Sequence, residues 1–273
     1  AKEWGITRAE QDQLAYESHS KAAKAYADGF YADLVVPFRG VDRDNILRPE
    51  TTVEKLATLK PAFDKTSGQG TLTAGNSTPL TDGASACLLA SEEWAASRGL
   101  EVQAYLRDAQ VAAVDFVHGD GLLMAPAWAV AQLLARNNLR LQDFDFYEIH
   151  EAFAAQVLCT LKAWESAEFC KTKLGLDAPL GSIDRSKLNV VGSSLALGPH
   201  RRHGGEAAEA EGLGPRADLG LHRRWHGRGR DRRALKSSAE SRRRDPARHR
   251  SLLEMKRPAK AGRFVFETAA QLT

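Results

Sequence analysis

Two adjacent side chains with acid–base chemistry, His150 and Glu151, lie in the stretch YEIHEAFAAQ. The apolar pattern predicts a strand over residues 144–149 and a helix from about Glu151. In α/β proteins, reacting groups collect at the edge where strands end. A histidine there could donate a hydrogen bond, and Glu151 could orient a ring or a water. The alternative is a histidine that only caps the helix or packs in the core.

A second candidate is the polar turn TAGNSTPLTDGA, residues 73–84, between two apolar segments. Such a turn brings backbone N–H groups and hydroxyls close to a ligand, although an ordinary surface loop has the same composition. The three cysteines, Cys87, Cys159 and Cys170, lack metal-ligand spacing, so no metal site is predicted. An odd number of cysteines in apolar contexts suits a reducing compartment.

The elements that must position these residues alternate between helices and strands. Thr7 and Glu10 form a capping box that begins a helix ending near Gly29. Ser91 caps a helix that ends near Gly99, and Pro126 lies in the first turn of another. A short helix is predicted over 52–59, strands over 71–74, 101–115 and 188–191, and a buried strand or tightly packed helix over 84–90. This order predicts an α/β layered domain with a mixed sheet.

The composition allows one large domain or two smaller ones, with 43% apolar residues in 273. Charge is divided unevenly: residues 199–273 contain 19 Lys and Arg against 9 Asp and Glu, a net charge of +10 that leaves −7 for residues 1–198. No apolar run reaches the ~18 residues of a membrane span. No signal peptide is visible. A cytoplasmic location is therefore expected.

Several motifs together resemble the thiolases, the acyl-CoA:CoA acyltransferases. The stretch GTLTAGNSTPLTDGASACLLASEEWAASRGL is similar to the family signature with an asparagine turn followed by DGA. HEAFAAQ resembles the family's NEAFA element, with His150 in place of the asparagine, and SIDRSKLNVVGSSLALG resembles the segment that leads into its GHP motif. DNILRPETTVEKLATLKPAF also matches a family segment. The resemblance covers about residues 5–198 and is closest to the β subunits of fatty-acid-oxidation trifunctional complexes.

The resemblance implies an α/β fold of thiolase type: layers in the order αβαβα with mixed sheets, here incomplete, plus a helical loop domain. Residues 1–70 would be part of the loop domain, 71–100 the end of the first α/β domain and 101–198 the second. Intact family members are commonly homodimers or tetramers, and a hydratase/dehydrogenase subunit is a further candidate partner.

The resemblance also implies a reaction: thiolytic cleavage of 3-ketoacyl-CoA by CoA, or the reverse condensation of acetyl-CoA, with acyl-CoA and CoA as ligands and no cofactor. His150 would take the place of the asparagine that holds a water of the oxyanion hole. Ala74 and Thr78 match positions that line the tunnel for the pantetheine of CoA, and Phe153 matches a pocket wall. The family's nucleophilic cysteine, its GHP histidine and its C-x-G cysteine have no counterpart, so these 273 residues are expected to be inactive.

The chain changes character at Gly198, where GPHRRHGG stands in place of the family's GHPFAATG. If the codons after Gly198 are read in a frame shifted by one base, they can encode IAATG near residue 200. The same frame can encode VCTAGGMGVAAIVER, followed by a stop codon near Lys236. We therefore predict a frameshift after Gly198 and a disordered basic tail over 199–273. The alternative is a catalytically dead thiolase-like scaffold whose basic tail binds nucleic acid or a partner. Nucleic-acid binding is not expected, because the tail lacks interleaved aromatic residues.

Overall fold

The computed structural model describes residues 1–81, 84–197 and the backbone of 264–266. All of them belong to one compact unit. The α-helices are α1 (Arg8–Ala27), α2 (Val53–Ala57), α3 (Glu92–Ser97), α4 (Ala125–Asn137), α5 (Ala154–Glu165) and α6 (Ala167–Thr172). Short 3₁₀ turns lie at Leu141–Asp143 and Arg185–Lys187.

Local capping signals fix where the helices begin. The Thr7 side chain accepts a hydrogen bond from the Glu10 backbone, and the Glu10 carboxylate accepts one from the Thr7 backbone, so the predicted capping box on α1 is confirmed. Ser91 caps α3 in the predicted way, and Pro126 lies in the first turn of α4. Each of these signals is local, which is why the sequence alone was sufficient to find it.

The strands are shorter than the sequence pattern predicts. Strand β1 (Phe146–Glu148) pairs in parallel with β2 (Phe264–Phe266). Leu188 forms one isolated parallel bridge with Tyr147 beside it. Strand β2 lies within the segment that the sequence predicts to be disordered, at Phe-Val-Phe, a triplet of high β propensity. The rest of the predicted frameshifted tail lies outside the described residues.

The longer predicted strands do not form. Residues 101–115 form neither strand nor helix and are largely exposed, 84–90 likewise form neither, and 71–74 contribute only a bridge from Thr73 to Pro61. A strand exists only with a hydrogen-bonded neighbour. Within the described part of the chain, no strand lies beside these segments, so apolar side chains such as Leu89 and Val111 stay exposed.

The core lies where α1, α4 and α5 meet β1. Its largest fully buried side chains include Trp164 of α5, Tyr147 of β1 and Leu134 of α4. Such side chains each contribute roughly 1.5–3 kcal/mol through removal of apolar surface from water. The core therefore fixes β1 and α5, and with them the segment that joins the two. No helix of the described part is both long and apolar enough to cross a membrane.

Candidate active site

His150 lies in the connection between β1 and α5, where its side chain is exposed. The strand ends two residues before it, at Glu148, and the helix begins four residues after it, at Ala154. The structure thus places His150 at the predicted edge, between a core strand and a core helix. An imidazole that is exposed at such an edge lies where a ligand could reach it.

The polar turn over residues 73–78, the asparagine turn, is organised by the fully buried Asn76. The Asn76 Oδ1 accepts from the Thr73 backbone N–H at 2.7 Å, and its Nδ2 donates to Asp12 Oδ1 at 2.9 Å and to the Thr71 carbonyl at 3.1 Å. Asp12 lies on α1 and is fully buried beside Arg8, whose Nε lies 2.7 Å away. The turn is therefore held by a buried, charge-assisted contact rather than by solvent.

Backbone hydrogen bonds join the asparagine turn to the segment that carries His150. The Thr78 N–H donates to the Ala152 carbonyl, and the Ala154 N–H donates to the Asn76 carbonyl, both at 3.0 Å. Ser77 and Phe153 form an isolated antiparallel bridge between them. Two segments about 75 positions apart in sequence thus form one local surface.

The structure brings together the segments of all four predicted site residues, but their side chains do different things. Ala74 is exposed and lines a groove. The Thr78 hydroxyl instead donates to the Ser194 carbonyl at 2.7 Å, so it joins the turn to the 189–197 loop. The Phe153 ring packs edge-on against Phe63 with centroids 5.6 Å apart. The ligand contacts of His150, Ala74, Thr78 and Phe153 remain predictions.

The groove beside the asparagine turn has a volume of about 510 Å³. Its walls come from α1, the segment before α2, α2 itself, the turn and the 189–197 loop. The lining residues with polar side chains include His19, Asn45, Arg48, Thr51, Ser77 and Thr81. A Cβ at Gly75 would lie 2.6 Å from the ends of both the Leu56 and the Leu59 side chains, so those side chains would have to shift to admit one. This close approach brings the turn against α2.

His19 and Arg48 are groove residues that sequence reasoning missed. The His19 Nδ1 accepts a hydrogen bond from the Arg48 backbone N–H at 3.2 Å, which places the imidazole proton on Nε2. Burial, and then the positive charge of Arg48, lower the pKa of His19 to about 4, so the ring is neutral near pH 7. The only sequence signal was a histidine on the buried face of α1, which favours a core role.

Glu151 points into the protein rather than towards a ring or a water. Its carboxylate accepts hydrogen bonds from Ser18 Oγ and Asn189 Nδ2, both at 2.7 Å, and from the Leu195 N–H at 3.3 Å. The side chain is almost fully buried. Burial raises the pKa of Glu151 above its ordinary value, and these hydrogen bonds oppose that shift.

The three cysteines do not line the groove. Cys159 is buried on α5, and its burial raises the pKa of the thiol, which disfavours the reactive thiolate. The Cys170 thiol is buried and lies 3.5 Å from the carbonyls of Ala163 and Trp164. Cys87 is exposed in the irregular segment before α3. The described residues contain no group of three or more His, Cys, Asp or Glu placed to hold a metal ion.

Family models, relatives of known sequence and a solved structure all indicate the same family for this chain. The family model for the thiolase N-terminal domain matches residues 1–93, and that for the thiolase C-terminal domain matches residues 100–204. The chain belongs to the thiolase family. The two matches do not test the boundaries at 70, 100 and 198, which remain predictions for this thiolase chain.

Individual relatives are similar over the same part of this thiolase chain. The 3-ketoacyl-CoA thiolase of Pectobacterium atrosepticum is 45% identical over 204 residues, which are 72% of this chain and 46% of that protein. The 3-ketoacyl-CoA thiolase of a Shewanella species is 43% identical over the same shares. The chain therefore spans about half the length of the curated relatives it matches.

A solved structure confirms the predicted thiolase-like α/β fold. The Acat5 thiolase from Ascaris suum, in complex with coenzyme A, superposes with a TM-score of 0.56 and 34% identity. The match covers 72% of this chain and 47% of the other. The short strands described above are thus the part of a thiolase fold that these residues form.

Proposed function

We propose that this chain forms the CoA-binding and oxyanion-stabilising part of a thiolase-type acyltransferase. The reaction is cleavage of a 3-ketoacyl-CoA by CoA, or the reverse condensation of acetyl-CoA, in fatty-acid β-oxidation. The observation that carries the proposal is the backbone pairing of the asparagine turn with the His150 segment beside an open groove. The names of the relatives and the coenzyme A bound to the structural neighbour support the same ligand.

The groove has the chemistry that a CoA thioester requires. The exposed Ala74 offers a small apolar wall for a pantetheine chain. Arg48 contributes a permanent positive charge that suits the phosphates of CoA. The neutral His19 and the Ser77 hydroxyl, which has no hydrogen-bond partner among the described residues, offer donors to amide or hydroxyl oxygens. The CoA thioesters are the substrates, and the proposal requires no further cofactor.

His150 has a distinct role in this proposal. In thiolysis the bond between the α- and β-carbons of the ketoacyl chain breaks, the acyl carbon forms a bond to sulphur, and the departing acetyl-CoA carbanion takes up a proton. Negative charge develops on the thioester oxygen of that fragment. A donor fixed at this oxygen, directly or through a water, stabilises the transition state more than the ground state. The exposed imidazole of His150 supplies such a donor.

Calorimetric titration of the 273-residue chain with CoA tests the proposal. The chain should bind CoA, and Ala74→Trp should weaken binding by at least tenfold because the indole fills the groove. The matched control is Ala96→Trp, at an exposed position of α3 that does not line the groove. Absence of CoA binding by the folded chain, or equal loss in both variants, contradicts the proposal.

A further inference from the structure

The buried carboxylate of Glu151 is the centre of a hydrogen-bond network to which the reaction proposed above assigns no role. It connects three segments that are far apart in sequence. Ser18 belongs to α1, Asn189 and Leu195 belong to the 189–197 loop, and Glu151 itself follows His150. Ser18 and Asn189, which are 133 and 38 positions from Glu151, are as fully buried as the carboxylate they contact.

The same network holds the peptide groups on both sides of His150. Before it, the Asn189 side chain accepts from the Ile149 N–H at 2.8 Å and donates to the Ile149 carbonyl at 2.9 Å. After it, the Glu151 N–H donates to Ser194 Oγ at 2.9 Å. These contacts hold the backbone in place on both sides of the exposed His150.

Asn189 connects the two halves of this arrangement. Its Nδ2 donates both to the Ile149 carbonyl and to Glu151 Oε1, while its Oδ1 must face the Ile149 N–H. The amide therefore has one orientation that satisfies every partner, and the Glu151 carboxylate stabilises that orientation. A buried network in which every member is satisfied is rigid and specific.

We infer that Glu151 is a positioning residue: its buried carboxylate fixes the Asn189 amide and the 189–197 loop so that the backbone presents His150 in one orientation. The inference deepens the proposed function and rests on it for the ligand. It assigns Glu151 no direct contact with substrate. The role requires an acceptor at both carboxylate oxygens, because an Asn189 N–H faces one and the Leu195 N–H faces the other.

Glu151→Gln is the sharpest variant, because it keeps the size of the side chain and changes only the donor pattern. Either orientation of the new amide places an NH₂ group against a donor, Asn189 Nδ2 in one and the Leu195 N–H in the other. Glu151→Asp keeps the carboxylate and is the conservative rescue. The matched control is Gln13→Ala, a neutral change on the exposed face of α1.

The first readout needs no ligand. The His150 imidazole signals, assigned in an NMR spectrum by their loss in His150→Ala, should shift and broaden in Glu151→Gln. The other seven histidines should keep their positions, apart from His19, which lies one residue from Ser18. Glu151→Asp should restore the His150 signals at least in part, and Gln13→Ala should leave them unchanged. A folded Glu151→Gln protein with unaltered His150 signals overturns the inference.

The second readout separates positioning from damage to the groove. Acetoacetyl-CoA carries the thioester oxygen that His150 would contact, whereas CoA lacks it. The ratio of the affinity for acetoacetyl-CoA to the affinity for CoA should fall by up to about tenfold in Glu151→Gln, as in His150→Ala. In the variant that carries both substitutions, this ratio should fall no further than in either single variant. Equal weakening of both ligands shows a structural role only. If wild type binds neither ligand, the proposed function fails, and the NMR result alone decides the inference.

If Glu151→Gln does not fold, Ser18→Ala provides the graded version. It removes one of three donors to the carboxylate and leaves the other two in place. We expect a smaller shift of the His150 signals in the same direction. A folded Ser18→Ala variant in which those signals do not move at all contradicts the inference.

Discussion

The Asp12 carboxylate on α1 accepts a hydrogen bond of 2.9 Å from the side chain of Asn76, 64 positions later in the chain. The same carboxylate pairs with Arg8, and the Arg8 guanidinium also donates to the carbonyls of Leu56 and Leu59 at the end of α2. One buried acid therefore holds together α1, α2 and the asparagine turn. The groove lies between these elements, so its shape depends on this contact.

Replacement of Asp12 should therefore be costly. Asp12→Ala removes the carboxylate that pairs with Arg8 Nε and accepts from the buried Asn76 amide, and we expect a loss of roughly 3 kcal/mol in the free energy of unfolding. Denaturant titration measures it. Gln13→Ala, one position along on the exposed face of α1, is the control and should change the free energy by less than about 0.5 kcal/mol. Similar small losses in both variants would show that the Asp12 contact does not hold the turn.

Two glycines with positive φ allow backbone strain to be separated from steric contact. Gly192 has φ +81°, and a Cβ there would lie 2.6 Å from Ala22 Cβ and 2.7 Å from the Ser18 carbonyl oxygen. Gly121 has φ +92° with open space around it. Gly121→Ala should cost about 1 kcal/mol of unfolding free energy from strain alone. Gly192→Ala should cost several times more, because the 189–197 loop must move away from α1. Equal costs by denaturant titration would contradict this packing.

Stability should depend on pH through His19. Its pKa is lowered from 6.5 to about 4 in the folded protein, so the unfolded chain binds the proton more readily. The stability from neutral His19 is fully present above pH 6.5 and is lost as the pH falls from there to about 4. The loss is roughly 3 kcal/mol. His19→Asn keeps an acceptor for the Arg48 N–H but has no group that titrates in this range. This variant should make the free energy of unfolding less dependent on pH between pH 6.5 and 4. An unchanged pH profile in that variant would show that another group is responsible.

Turnover by these 273 residues is not expected. Thiolysis requires a thiolate, and neither Cys159, whose thiol pKa is raised by burial, nor the buried Cys170 provides one. Acetoacetyl-CoA thiolysis followed at the thioester enolate absorbance should equal the enzyme-free rate. Turnover that disappears in Cys87→Ser would identify the exposed cysteine as a nucleophile and refute this expectation.

Local features of the fold could be predicted from sequence, whereas features that depend on distant partners could not. The capping residues Thr7 and Ser91 act within three residues of themselves, and both were found correctly. Residues 101–115 have the composition of a strand but form none, because strand formation depends on a neighbour that a one-dimensional pattern does not contain. Propensity alone therefore gave the wrong secondary structure there.

The same distinction applies to the candidate site. The pattern around His150 placed it correctly between a strand and a helix, and the family resemblance indicated the asparagine turn. The pairing of those two segments depends on backbone contacts across about 75 positions. The roles of His19 and Asp12 depend on which face of α1 is buried and on which distant segments pack against that face. Polar residues on a helix give no periodic signal that separates a buried, partnered side chain from a solvated one.

A crystal structure of the chain with bound acetoacetyl-CoA is the most direct test of the central claim. The account predicts that the pantetheine chain lies in the groove against Ala74, that the phosphates lie near Arg48, and that the thioester oxygen lies within hydrogen-bond distance of the His150 imidazole or of a water it holds. A ligand bound elsewhere, with the groove empty and His150 turned away, would contradict the account.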